Sequence, residues 1–223
     1  ARSILQYEGN IPLGGIEDIR AYVTRAELGA MLQPAELLSI QGTLRSSHRL
    51  GQFLGKLGEK YPLLAELAGE IEPFEQIQAD IACVISQNGE VMDSASPALG
   101  RIRSELRTAH ARLMERMNSF IQGREYRNII QEPVITLSNE RYCIPIKSEY
   151  RGQLPGIVHD ASASGATLFV EPAAVVELGN RRRELAARER EEIEKVLTKL
   201  SDGVGRAAPR IQAAMNVVGM IDC

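Results

Sequence analysis

Apolar residues recur every three or four positions in two long segments, and these flank one stretch with a different pattern. Between Glu132 and Pro172 the chain is rich in β-branched and aromatic residues at strand spacing. Gaps of three and four predict helices, whereas alternation predicts strands. We therefore expect a mainly α fold with an inserted small antiparallel β-sheet. The helical positions are Leu99, Ile102, Leu106, Ala109, Leu113, Met117 and Phe120, then Val175, Leu178, Leu185, Ile193, Val196 and Leu200.

This pattern predicts a base, an arm and a tip. Two long helices with a sheet between them indicate an antiparallel two-helix lever that carries a four-stranded β clamp on a helical core. At 1.5 Å per residue, the first lever helix is about 45 Å long. We expect the core at 1–93, the lever helices at 94–132 and 172–203, the clamp at 133–171 and a return to the core at 204–223.

Local signals mark where the helices begin and end. Pro34 suits the first position of a helix, and Pro62 ends it because a residue before proline leaves helical dihedrals. Asn88-Gly89 is a hairpin-turn signal. Either Ser94 or Ser96 can cap the first lever helix. After a loop at 1–14, the expected helices are 16–28, 34–60, 63–68, one around 74–81, 97–128, 172–201 and, beyond a break at Asp202-Gly203, 204–222.

The clamp reads as four short strands joined by short loops, which favours an antiparallel meander. Asn139 and Gly165 can supply positive φ in the turns. Pro145 cannot donate to a ladder, so its strand is expected at an edge or with Pro145 facing outward. The expected strands are 134–137, 141–147, 156–160 and 166–170.

Composition narrows the class of protein. The chain has 223 residues and contains no run of 18 apolar residues, so we expect no membrane span and no export signal. Its three cysteines are far apart, which argues against a zinc site and for a reducing, cytoplasmic setting. Trp is absent, which argues against an aromatic platform for bases. Because the chain opens without Met and stops after an apolar run, we expect a piece of a longer protein.

Charge is distributed unevenly. Residues 1–93 carry 7 Lys and Arg against 13 Asp and Glu, whereas residues 94–151 carry 10 against 6. Positive charge on the arm and tip suits a polyanion, although a solvated helix face would give the same count. Arg141 could instead pair with Glu140 or Glu149. The candidate phosphate contacts are Arg124, Arg127, Arg141, Lys147 and Arg151.

Two strings of residues resemble a known family. They are Arg141-Tyr142-x-Ile144-Pro145-Ile146-Lys147 and Pro155-Gly156-Ile157-Val158-His159-Asp160-x-Ser162-Ala163-Ser164-Gly165-Ala166-Thr167-Leu168-Phe169-Val170-Glu171-Pro172. Together with Gly15-Ile16-x-Asp18-Ile19-Arg20 and Pro34-x-Glu36-Leu37-Leu38, they resemble the second bacterial MutS-like family, MutS-two. The resemblance covers effectively the whole chain.

The resemblance implies core, lever and clamp regions of a homodimeric protein. An ABC-type ATPase domain, which binds ATP and Mg²⁺, and a small nuclease domain follow these regions in the family. The MutS-two family is associated with binding branched DNA to suppress recombination and with rescuing collided ribosomes. The chain has no Gly-x-x-x-x-Gly-Lys-Ser/Thr phosphate loop, so no nucleotide site is expected within it. The expected function is therefore nucleic-acid clamping; the alternative is a structural arm that embraces a ribosome or a second subunit.

Three further patterns have a structural interpretation beside a chemical one. His159, Asp160 and nearby serines suggest a hydrolase, but a catalytic triad needs a nucleophile on a rigid elbow. Ser162, Ser164 and Gly165 could cradle a phosphate or simply hydrogen-bond their own turn. The glutamates of the second lever helix are better read as salt bridges with its arginines than as metal ligands. We predict no catalytic residue and no metal site in this chain.

Overall fold

The computed structural model describes residue 12 and residues 14–222, which form two compact units. One unit comprises residues up to 99 together with 191 onward, and the other comprises 100–190. The expected loop at 1–14 lies almost wholly outside the described residues. The boundaries of the lever and clamp stay predictions. The helices are α1 (Arg20–Glu27), α2 (Pro34–Lys56), α3 (Pro62–Gly69), α4 (Glu75–Val84), α5 (Pro97–Gln122) and α6 (Val176–Asp222).

The strands are few and short, so the protein is mostly helical with a small four-stranded antiparallel sheet, as the sequence predicts. Short 3-10 turns occupy Asp93–Ala95, Ser148–Tyr150 and Ala173–Val175. No described helix is both long and apolar enough to cross a membrane. The strands are β1 (Thr136–Ser138), β2 (Arg141–Lys147), β3 (Gly156–Ala161) and β4 (Thr167–Pro172).

The first unit has two apolar clusters, both built from the periodic helical positions. Each fully buried Leu or Ile contributes roughly 1.5–3 kcal/mol through burial. The larger cluster includes Ile19, Val23, Leu32, Leu37, Ile40, Leu44, Ile81, Leu99, Val204, Ala208 and Ile211. The smaller one contains Leu50, Leu54, Ala68, Ile71, Val217, Val218 and Ile221.

Caps and turns in this unit follow the sequence signals in most places. Pro34 begins α2, and the Glu36 carboxylate accepts from the Gln33 backbone N–H at 2.8 Å in a capping box. The Asn88-Gly89 turn closes on a single bridge between Ile85 and Val91. Ser96 is the cap of α5, since its Oγ accepts from the Leu99 N–H at 3.0 Å.

Apart from the end of the second lever helix, four helix bounds differ from the prediction by four residues or more. The first is the start of α6, at Val176 rather than 172, because the 3-10 turn Ala173–Val175 precedes it. α1 begins at Arg20 rather than Ile16, because the Asp18 carboxylate accepts from the Arg20 backbone N–H just before the first turn. α2 ends at Lys56, and a series of turns fills the gap before Pro62. α5 ends at Gln122 rather than near Asn128, since the chain must turn to bury Ile129 and Ile130 in the second unit's core.

The predicted break at Asp202-Gly203 is wrong. α6 runs from Val176 to Asp222 without interruption, through Gly203 and also Pro209. A glycine in a helix costs only about 1 kcal/mol relative to alanine, and burial of Val204, Ala207 and Ala208 exceeds that cost. Gly205 is required by packing, because a Cβ there would lie 2.5 Å from the Ala26 carbonyl oxygen of α1.

The second unit pairs α5 with α6 and closes on the sheet. Arg103 Nε lies 2.7 Å from Glu189 Oε1, and Glu105 lies 2.9 Å from Arg181. The residue that comes later in α5, Glu105, pairs with the residue that comes earlier in α6, Arg181. The two helices are therefore antiparallel neighbours within this unit. Its core contains Leu113, Met117, Ile129, Ile130, Ile144, Ile146, Leu154, Val170 and Val175.

The predicted meander is wrong in strand order. All pairings are antiparallel, but the order is β1-β2-β4-β3, so β2 pairs with β4. The segment 148–155 is long enough for the chain to pass the position next to β2, so β3 lies one strand further out. The tight turn at 162–166 then returns the chain, and β4 lies between β2 and β3. β4 suits the inner place because Val170, Glu171 and Pro172 are all buried.

Pro145 is buried in an inner strand, which corrects the expectation of an edge or an outward orientation. In a strand, the N–H and C=O of one residue point to the same side. The Pro145 carbonyl accepts from the Gln131 N–H at 2.9 Å, so the missing donor faces the irregular segment 129–131 rather than β4. The β2–β4 ladder is therefore intact.

Candidate nucleic-acid interface

Three loops meet at the carboxyl end of β2. Lys147 is opposite Thr167 in the β2–β4 register, and its N–H donates to the Ile129 carbonyl at 3.0 Å. The Ser148 N–H donates to the Ala166 carbonyl at 3.0 Å. These bonds gather the loop at 123–129, the turn at 148–152 and the turn at 162–165 at one end of the sheet, which we call the sheet tip.

Four of the five candidate cations belong to the sheet tip. Arg124, Arg127 and Arg151 are exposed, and none of them has a carboxylate partner among the residues that the structure describes. Lys147 is half-buried, with its Nζ 5.9 Å from the centre of the Tyr150 ring. Glu125 and Glu149 lie in the same loops. The tip therefore keeps a positive excess.

The serine turn is held by its own hydrogen bonds. Gly165 has φ of +72° and donates its N–H to the Ser162 carbonyl at 2.8 Å. Ser162 Oγ accepts from the Thr167 N–H at 3.0 Å and lies 3.4 Å from Ser164 Oγ. Two of the amides that a phosphate would need are thus already used. The geometry favours the structural interpretation of Ser162, Ser164 and Gly165.

Arg141 lies at the opposite end of β2, away from the other candidate cations along the strand. Its Nη1 is 3.0 Å from Glu171 Oε1, and its Nη2 donates to Asn180 Oδ1 at 2.9 Å. The expected alternatives, Glu140 and Glu149, are not its partners. Because its side chain is only 14% exposed, Arg141 is better explained as a structural cation than as a phosphate contact.

Glu171 is the centre of a polar cluster that the sequence reasoning missed. Its side chain is 2% exposed and also accepts from His159 Nε2, whose distance to Oε2 is 2.8 Å. Gly179 lets α6 approach, since a Cβ there would lie 2.9 Å from Glu171 Oε1. One signal could have revealed the cluster: a single carboxylate stands in the apolar run from Leu168 to Pro172.

The cluster also suppresses the acidity of the neighbouring thiol. Burial raises the pKa of Cys143 to about 12, and the nearby negative charge of Glu171 adds to the shift. A thiol with such a pKa is protonated at neutral pH and therefore a poor nucleophile.

The residues suggestive of a hydrolase do not form a catalytic triad. His159 bonds Glu171 rather than Asp160, and the Asp160 carboxylate accepts from the Ala161 N–H at 2.8 Å. Three of the six glutamates of α6 pair with basic or hydroxyl groups: Glu184 with Arg181, Glu189 with Arg103, and Glu192 with Ser96 and Lys195. Within the described residues, no three His, Cys, Asp or Glu side chains gather as metal ligands.

The paired helices, the inserted sheet and the cationic tip define a MutS-like segment. The chain is 44% identical over 97% of its length to "Endonuclease MutS2" of Symbiobacterium thermophilum, covering 27% of that protein. It is 43% identical over its full length to the protein of that name from a Geobacillus species, and 42% identical over 99% of its length to that of Pelotomaculum thermopropionicum. No family model matches. The chain belongs to the MutS2 family and spans somewhat more than a quarter of these relatives' length.

Proposed function

We propose that this chain is the nucleic-acid-binding core, lever and clamp region of a MutS-like ATPase that binds branched DNA and so suppresses homologous recombination. The observation that supports the proposal is the sheet tip, where Arg124, Arg127 and Arg151 are exposed beside Lys147. They lie on two of the three loops and at the end of β2, so their positive charge is gathered at one end of the sheet, where a polyanion could contact all of it.

The proposed binding is sequence-blind. Arginine and lysine at phosphates neutralise charge and release counterions, which gives affinity that falls with salt but carries no base information. The sheet tip has two aromatic side chains, Tyr150, whose ring is 5.9 Å from Lys147 Nζ, and Tyr126, whose ring is 5.5 Å from that of Phe120, and Trp is absent from the sequence. Base stacking is therefore not part of the proposal.

We place the remaining activities in a longer protein. ATP and Mg²⁺ would bind a separate ATPase domain, since this sequence has no phosphate loop, and DNA cleavage would belong to a separate nuclease domain. Two copies in a homodimer would bring two tips to one DNA. Two weak contacts that are linked bind far more tightly than either alone. A cytoplasmic location is part of the same proposal.

The test compares two sets of three substitutions in fluorescence anisotropy with a four-way junction. Replacing the three exposed arginines of the tip by glutamine removes three charges from the proposed surface. The matched control replaces three exposed arginines elsewhere, Arg45, Arg188 and Arg190. The tip variant is expected to lose at least about tenfold in affinity, or ~1.4 kcal/mol, and the control less than half that free energy. Equal losses in both would refute the role of the tip.

Partner choice is tested in parallel. The same cations could contact ribosomal RNA, in which case the region is an arm that embraces collided ribosomes or helps a dimer to clamp. Junction DNA and linear duplex are compared by anisotropy, and ribosomes by co-sedimentation, with the tip variant in each. Tight junction binding without ribosome binding supports the DNA proposal, whereas the reverse result replaces it.

A further inference from the structure

A cavity of about 470 Å³ opens in the first unit between α4, the turn at 93–96 and α6. It lies outside the sheet tip and has no part in the function proposed above. Its volume is within the range of small-molecule sites, roughly 300–1,000 Å³. The cavity has an apolar floor and a cationic rim, and this combination restricts the kind of molecule that can bind there.

The floor of the cavity is apolar. Val204 is fully buried, and Ile77, Val84, Val196 and Leu200 are half-buried residues packed against the main core cluster. The four half-buried side chains are covered by protein on one face and open to the cavity on the other. An apolar body lying there would remove that remaining face from water.

The rim of the cavity is cationic along one face of α6. Lys195, Lys199 and Arg206 line it at helical intervals of four and seven residues, which place side chains on one side of a helix. Lys199 and Arg206 have no carboxylate partner in the part of the chain that the structure describes.

The acidic residues of the wall are already bonded. Asp80 accepts from Gln76 at 2.7 Å. Glu192 accepts from the Ser96 hydroxyl at 2.7 Å and lies 3.8 Å from Lys195. Lys195, Lys199 and Arg206 outnumber Asp80 and Glu192 in the lining, so an incoming anion would meet a net positive charge.

Gly203 lines the same cavity and has no packing reason to be glycine. A Cβ at this position would meet nothing closer than Arg206 Nη2, at 3.9 Å. Gly205, two residues further on, is different because a Cβ there would strike the Ala26 backbone. A glycine in the middle of a helix, where alanine would be more stable, leaves bare backbone that a ligand can approach closely.

We propose that this cavity binds a small organic anion with an apolar body, such as a medium-chain carboxylate or phosphate monoester. The apolar chain lies on the floor beside Gly203, and the anionic head lies between Lys199 and Arg206. The two head groups share the same recognition by cations, and the experiment below distinguishes them.

Cys83 gives a direct readout, because this exposed thiol lies in the cavity wall. The assay measures its rate of alkylation by N-ethylmaleimide in the whole 223-residue chain with Cys223→Ser, where Cys143 is buried. Decanoate and decyl phosphate are the anionic probes, and decyltrimethylammonium is the cationic control. We expect at least one anionic probe to slow alkylation by about tenfold near saturation, and the cation to leave the rate within about twofold. The better protector identifies the head group.

Two variants locate the site. Gly203→Leu places a bulky side chain in the cavity, and leucine is a better helix former than glycine. The melting temperature should therefore stay the same or rise, while the protection of Cys83 disappears. Lys199→Gln with Arg206→Gln should weaken the binding of the better anionic probe by about tenfold, and Arg188→Gln on the same helix should not. Equal protection by anion and cation, no protection at all, or full protection in Gly203→Leu would each overturn the proposal.

Discussion

The most demanding stability prediction concerns the carboxylate of Glu171. Glu171→Gln keeps the shape of the side chain and removes its charge. The variant leaves the Arg141 guanidinium, 3.0 Å away and 14% exposed, without its counter-ion. Gln also fits His159 less well, since one amide position donates where the carboxylate accepted at 2.8 Å.

The size of the effect follows from the burial. Two unit charges 3 Å apart attract by about 5 kcal/mol at an effective dielectric near 20, and desolvation offsets part of this. Removing one partner of a buried pair costs roughly 3–5 kcal/mol. Arg141 keeps its bond to Asn180 and some access to water, so we expect the lower end, about 3 kcal/mol.

The assay is urea unfolding of the whole chain, followed by far-UV circular dichroism at pH 7. With a slope near 2 kcal/mol per molar urea, the midpoint should fall by about 1.5 M. Replacing both Glu171 and Arg141 by methionine should cost at least about 2 kcal/mol less than the sum of the single changes. Glu105→Gln breaks an exposed pair with Arg181 and should cost less than about 0.5 kcal/mol. A Glu171→Gln cost as small as this control, or strict additivity, would refute the reasoning.

Three further predictions use the same unfolding assay. Gly205→Ala should destabilise the protein by about 2 kcal/mol or more, because its methyl group meets the Ala26 backbone. Gly203→Ala should stabilise the protein by up to ~1 kcal/mol. A change in unfolding free energy of the same sign for both variants would contradict the packing described. The pKa of Cys143 rises from 9.0 to about 12 on folding, so the unfolded chain loses its proton first and stability falls as pH rises above 9. The loss should be about 1 kcal/mol at pH 10 relative to pH 8, and a Cys143→Ala variant whose stability falls equally would show another cause. Ser96→Ala removes the cap of α5 and the bond to Glu192 and should cost about 1 kcal/mol; an unchanged urea midpoint would contradict the capping role.

Local signals in the sequence were sufficient for most elements of this fold. Ser96 and Pro34 cap and begin helices where their chemistry predicts, and Asn139 and Gly165 adopt positive φ in the turns. These outcomes depend on a few neighbouring residues. The break expected at Gly203 failed because a local cost of about 1 kcal/mol is smaller than the burial of the surrounding α6 residues, which the sequence does not reveal.

Long-range pairings could not be predicted in the same way. The choice of β4 rather than β3 as the neighbour of β2 depends on the path of loop 148–155, and the sequence shows the length of that loop but not its path. The partner of Arg141 was also unpredictable, since Glu171 is 30 residues away. Of the candidate site, the sequence therefore identified cations in the loops but could not distinguish the exposed arginines from the half-buried, paired Arg141.

The measurement that tests the central claim most directly is the salt dependence of four-way-junction binding, with and without the tip arginines. The logarithm of the binding constant is plotted against the logarithm of salt concentration. Each phosphate neutralised in B-DNA contributes a slope of about −0.9. We predict that replacing Arg124, Arg127 and Arg151 by glutamine makes the slope shallower by about 2–3. An unchanged slope would place the DNA contact elsewhere and contradict a clamp that acts through the sheet tip.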